Sequence, residues 1–308
     1  MRGRWSRWVS WIDRREDNAS LALMRVAIGL TLLWTLGDIA LSGVVELVYL
    51  PPEHGGFREM SERHWLIRAL GGASPGAVWG LILSGIGLSA ALIAGVGRWL
   101  APLLLLQALL ALFSLHGASG GGHDRVLYNA LFILIVAGGA SRETPTWARY
   151  LAVFQLVLIY FTTGVQKIGG EWMPWGDLSA LYHALQLPAY RRVALPWLAE
   201  QPWFLFTQIG TAVTMLFEWT SPLLALSVYW AETAARPGRL RALANRLRLR
   251  EIYVIVGITL HLGISLTMQV GPFTPAMLSL YACLYPPETW RRLAQRVRST
   301  ASAKRASA

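Results

Sequence analysis

The sequence predicts an all-α integral membrane protein, a bundle of about eight transmembrane helices plus amphipathic helices at the interface. Three observations carry that expectation. Hydrophobic residues make up 54% of the 308-residue chain and charged residues only 15%, with a mean hydropathy of +0.42. Soluble domains carry roughly 25% charge, so this chain has too little to coat a water-facing surface. Its 15 Trp suit the lipid–water boundary, where that side chain concentrates. Finally, the apolar residues gather into long runs at about 20–42, 77–97, 100–117, 125–140, 147–168, 202–230, 251–271 and 273–286.

Each run is judged against the roughly 20 mostly apolar residues that a spanning helix needs. The last is short and ends at Pro286-Pro287, where proline cannot continue a helix. Those at 100–117 and 125–140 are also short, which makes seven spans the alternative count. The same composition excludes a disordered chain, a coiled coil and a disulfide-stapled secreted domain. Cys283, the single cysteine, forms neither an internal disulfide nor a cysteine metal cluster.

Charge then orients the bundle. The 28 Lys+Arg exceed the 17 Asp+Glu, giving +11, which in a soluble protein would suggest nucleic acid. There is no zinc finger, aromatic-basic sheet motif or basic stripe on a soluble element, so no nucleic-acid partner is expected. With the N-terminus in the cytoplasm and eight alternating spans, 20 basic residues fall inside and 7 outside. Arg25, within the first run, completes the set. That bias follows the positive-inside rule and predicts that both termini are cytoplasmic.

Three regions follow: an amphipathic interfacial helix at 1–19, a transmembrane domain at 20–290 and a basic cytoplasmic tail at 291–308. In the first, Trp5, Trp8, Val9 and Ile12 recur at helical spacing with arginines between them, the pattern of a helix lying among headgroups. The following run is too long for a signal-peptide core and is expected to be retained. Residues 236–250 repeat the device, with Leu240, Leu243 and Leu247 set against Arg239, Arg241, Arg246, Arg248 and Arg250. Membrane lipids are thus the first expected partner. Segments 43–76 and 169–201 are long enough for short helices over the outer mouth, and residues 301–308 read as a frayed end.

Polar groups inside apolar runs carry the chemistry, because each is costly in hydrocarbon unless partnered. Glu218 and His261 fall near the bilayer middle and form a candidate buried pair, either a structural link or a proton relay. Asp38, His123, Asp124 and Lys167 fall near the outer surface. No metal site is expected, since no two histidines show HxxxH or HExxH spacing. Neither a nucleophile elbow nor a phosphate loop occurs; Gly120-Gly121-Gly122 lacks the lysine of the latter. Lys167 ends the segment Tyr160-Phe161-Thr162-Thr163-Gly164-Val165-Gln166-Lys167, just ahead of Trp172. It is either a lysine snorkelling to the headgroups or, facing the bundle, a desolvated amine able to act as a base.

The Tyr-Phe-x-x-Gly-Val-x-Lys…Trp arrangement at Tyr160–Trp172 resembles the membrane part of the vitamin K-dependent gamma-glutamyl carboxylases. That part is also known as the horizontally transferred transmembrane domain of bacteria. His261, Gly263, Met268, Gly271, Phe273 and Met277, with Tyr285-Pro286-Pro287 and Trp290, resemble the family's last two spans. The resemblance covers about residues 20–298. It implies a lyase-like membrane enzyme whose cofactor is reduced vitamin K, a menaquinol-like quinol. Lys167 would be the initiating base that deprotonates it and His123 an assisting histidine, with Glu218, His261, Asp38 and Trp172 as ligand or relay groups. The beta-rich substrate domain that follows in the carboxylases is lacking in this sequence, and the family's lysine pair is Gln166-Lys167 here. An exported peptide or protein is the implied substrate. The alternative is a non-catalytic maturation or scaffold factor for such a peptide.

Overall fold

The computed structural model describes residues 3, 5, 6, 9, 10, 13–115, 117, 122–140 and 143–306. In chain order its elements are β1 (Arg15–Asp17), α1 (Ala19–Leu41), α2 (Trp65–Ala69), α3 (Pro75–Ala94), α4 (Leu100–Ser114), α5 (Gly122–Val136), β2 (Glu143–Pro145) and α6 (Thr146–Gln166). There follow α7 (Ala180–Gln186), α8 (Trp203–Trp219), α9 (Pro222–Glu232), α10 (Arg239–Arg246), α11 (Leu249–Thr267), α12 (Phe273–Ser279) and α13 (Pro287–Ala306). The all-helical class is as expected, with one small sheet added.

Among the described residues, α1, α3, α6 and α11 are long and apolar enough to cross a membrane, and the chain is accordingly a helical integral membrane protein. Helices α8 and α9 make a fifth span if taken as one element bent by 60°. Eight spans are therefore too many. The runs at 100–117 and 125–140 yield helices of only 15 residues each. At 1.5 Å per residue such a helix reaches about 22 Å, against a hydrocarbon core of about 30 Å. Backbone chemistry ends α5: Gly138 and Gly139, with φ of 73° and 76°, lie just beyond it. The run at 273–286 becomes the seven-residue α12 and a 3-10 turn at Leu280–Leu284.

The chain forms two compact units, Met1–Ala152 with Tyr285–Ala308, and Val153–Leu284. In the first, α1 buries Leu21, Met24, Ile28, Leu32 and Leu36 along one stripe. It packs on α3 through small residues. A Cβ on Gly85 would stand 2.7 Å from Leu36 Cδ1, and one on Gly29 would stand 3.2 Å from the Ser89 carbonyl. Gly85 and Ser89 thus form the small-xxx-small step that lets membrane helices approach closely. The Arg25 guanidinium, a charge inside the first apolar run, donates to the Leu92 carbonyl at 2.6 Å, near the exposed end of α3's backbone ladder.

Strands β1 and β2 pair antiparallel, Glu16 opposite Thr144. This ties the start of α1 to the start of α6. Arg149 Nε lies 2.8 Å from Glu16 Oε1 and its Nη2 3.1 Å from Oε2. Arg291 of α13 makes a second, exposed clasp, its Nη2 2.6 Å from Asp17 Oδ2. That hydrogen bond holds the Asp17 carboxyl below the usual carboxylate range. Ser20 also donates to the Tyr285 carbonyl at 2.8 Å. Residues 15–17, 143–149 and 285–291, from three of the basic segments, thus meet at one end of this unit.

The amphipathic segment expected at 1–19 ends in β1, and Trp8 and Ile12 of its stripe lie outside the described residues. The tail expected to fray from 301 continues as helix α13 through Ala306; residues 307 and 308 are outside the description. In the second unit, α10 leaves Leu240 and Leu243 exposed, as an interfacial helix would.

Candidate functional site

Four of the six residues singled out in the sequence, Lys167, Trp172, Glu218 and His261, line one cavity in the second unit. The other two do not. Asp38, exposed in the last turn of α1, and His123, at the start of α5, belong to the first unit. His123 Nε2 lies 3.1 Å from Asp124 Oδ1.

Gly164 makes the site possible. A Cβ there would stand 2.9 Å from Glu218 Cβ and 2.7 Å from Trp219 Cδ1, so only glycine lets α6 and the end of α8 cross this closely. The Trp219 indole N–H donates at 2.8 Å to the Gly164 carbonyl, which also accepts the Lys167 backbone N–H at 3.1 Å. Lys167 lies one residue past α6, and its stem reaches Glu218. Its Nζ sits 2.6 Å from each Glu218 carboxylate oxygen. The same ammonium lies 4.6 Å from the centroid of the Trp172 ring, a cation–π contact supplied by the 3-10 turn Gly170–Trp172. The Lys167 ammonium is thus held by protein groups.

Glu218 and His261 are expected to face each other or a shared polar cavity, and they share the cavity without Glu218 bonding to the imidazole. Glu218 pairs with Lys167, and His261 belongs to a second chain of polar groups. The Tyr160 hydroxyl lies 2.6 Å from His261 Nε2 and 2.8 Å from the Tyr281 hydroxyl. Thr274 donates to the His261 carbonyl at 3.1 Å, fixing α12 against α11. The ring of Tyr160 is edge-on to Phe217, one residue from Glu218. Neither tyrosine was singled out for a role. Tyr160 lies seven residues before Lys167, two helical turns, and that spacing could have placed both on one face. Tyr281 sits in an apolar run and gives no such signal.

The cavity has a volume of about 440 Å³ and mainly apolar walls, among them Leu181, Phe217, Ile264 and Met277. That size and lining suit a small organic molecule held by a few polar groups. Among the described residues there is no cluster of three or more metal-ligating side chains. Comparison with protein-family models, curated proteins and solved structures gave no match to the chain.

Proposed function

We propose that the protein is a membrane-embedded enzyme that binds a lipid-soluble quinol in the cavity of its second unit and removes a proton from it with the Lys167–Glu218 pair. The observation that carries this reading is an ion pair on the wall of an apolar cavity. The resemblance of Tyr160–Trp172 and 261–290 to vitamin K-dependent carboxylases supports the choice of a quinol, and the residues fit one. The apolar walls suit a fused aromatic ring, and polar groups are few. A bound quinol of the vitamin K type would supply an ionisable hydroxyl and two electrons.

The pair works as a unit. Lys167 can pass a proton to Glu218 across 2.6 Å, leaving a free amine that takes the hydroxyl proton. The net change places one proton on Glu218 and keeps the Lys167 ammonium beside the new negative charge. Trp172, stacked on Nζ, restrains the lysine in the position this requires. Lipid mass spectrometry of the purified protein tests the reading. A stoichiometric quinone is expected. Its absence would favour the alternative, a non-catalytic maturation or scaffold factor for an exported peptide.

The end of the first unit where residues 15–17, 143–149 and 285–291 meet is proposed to face the cytoplasm of a bacterial cell. Its support is the basic bias of those segments. The ion pair between Asp17 and Arg291 at this end supports placing both chain ends on that side. A reporter active only outside the cytoplasm, fused after Ala308, should stay silent; a strong signal would overturn the orientation.

A further inference from the structure

His261 carries an orphan. The residue is 3% exposed, it lines the cavity, and its Nδ1 has no hydrogen-bond partner among the described residues. A buried polar atom left unsatisfied costs stability, so such an atom on a cavity wall marks where a ligand group completes the structure.

Which ligand group it takes follows from counting protons along Tyr281–Tyr160–His261. In one polarity Tyr281 donates to Tyr160, and Tyr160 donates to His261 Nε2. The imidazole proton then sits on Nδ1, which becomes the single unsatisfied donor of the chain. In the opposite polarity Nε2–H donates to Tyr160, and Tyr160 donates to Tyr281. That leaves both the Tyr281 hydroxyl proton and the Nδ1 lone pair unmatched. The first arrangement leaves one orphan and the second leaves two. The neutral Nδ1–H tautomer is therefore the one this chain selects.

Resting on the proposed quinol site, we propose that His261 Nδ1–H donates to a ring oxygen of the bound molecule, hydroxyl in the quinol and carbonyl in the quinone, so that the cavity selects oxygenated rings over hydrocarbons of the same shape. His261 is thus a specificity-determining ligand, and Tyr160 and Tyr281 are positioning residues that fix its tautomer.

Two probes of equal outline separate the possibilities: menadione, a naphthoquinone, and 2-methylnaphthalene, which lacks both oxygens. Binding to the purified full chain is followed by quenching of tryptophan fluorescence. The wild type should bind menadione about tenfold or more tighter than the hydrocarbon, the order expected for one buried hydrogen bond. His261→Gln keeps a polar group near the Nε2 position, facing Tyr160, and removes the Nδ1 donor. It should lose about tenfold in menadione affinity while binding the hydrocarbon unchanged. Equal losses for both probes would make His261 a structural residue and overturn the inference, as would unchanged menadione binding. Those results leave the quinol reading standing, whereas a wild type that binds neither probe removes both. If the variant does not fold, nitrogen NMR of histidine-labelled wild type decides. A proton on Nδ1 is expected, and one on Nε2 would overturn the assignment.

Discussion

Lys167→Arg is expected to leave the second unit folded and able to bind menadione, while turnover of a reduced naphthoquinone falls about 10²- to 10⁴-fold. Arginine keeps a long stem and a positive charge, so the ion pair with Glu218 and the stacking on Trp172 can both persist. What it cannot do is release a proton, since guanidinium stays protonated at any working pH. The arginine variant therefore separates holding a charge from moving a proton. Alanine is the poorer test, because it strips the mostly buried Glu218 of its cation. Removing one partner of a buried pair costs about 3–5 kcal/mol, so Lys167→Ala should unfold more readily as well as lose activity. Adding Glu218→Gln to Lys167→Ala should restore much of that stability and none of the activity. Wild-type turnover in the arginine variant would refute proton transfer through Lys167.

The membrane character and the helical class were legible because long apolar runs survive any choice of boundary. The span count was not. Hydropathy counts apolar residues but does not weigh the backbone turn at Gly138-Gly139 or the shift to a 3-10 turn after Ser279, and these shorten the helices. Strands β1 and β2 escaped notice for a related reason. They are three-residue segments, Arg15–Asp17 and Glu143–Pro145, too short for an alternating pattern to show.

At the site, the residues were legible as polar groups in apolar surroundings, but their partners were not. Pairing Glu218 with Lys167 depends on how closely two helices cross at Gly164, which is a tertiary property. The tyrosines were missed because hydropathy reads Tyr160 and Tyr281 as part of the apolar background. Only their hydroxyls, both within reach of each other and one of His261, reveal them as a polar chain. Lys167 and Glu218 seemed to lie at different levels, yet the lysine stem bridges the difference and the pair closes at 2.6 Å.

Glu16→Ala is expected to cost about 3–5 kcal/mol, the largest stability loss argued for the first unit. Arg149 is 1% exposed, and its Nε and Nη2 meet the two Glu16 oxygens in a fork-to-fork arrangement. Removing Glu16 takes this carboxylate from a buried cation and loosens β1 from the start of α6. The neighbouring clasp supplies the control. Arg291 and Asp17 are 59% and 36% exposed in their side chains. Water and salt screen such a pair, so Asp17→Ala should cost less than about 1 kcal/mol. The two pairs also separate by pH. Because the Asp17 carboxyl lies below its ordinary value when folded, its contribution is present above the ordinary carboxylate range and fades as pH falls through the lowered value. Thermal unfolding in a mild detergent reads both variants. Glu16→Ala should lower the midpoint several times further than Asp17→Ala, and Glu16→Ala with Arg149→Met should recover most of the loss, because the buried guanidinium is removed together with its carboxylate. Equal midpoints for the two single variants would mean that the buried pair contributes no more than the surface one, and that β1 is held to α6 by its backbone alone.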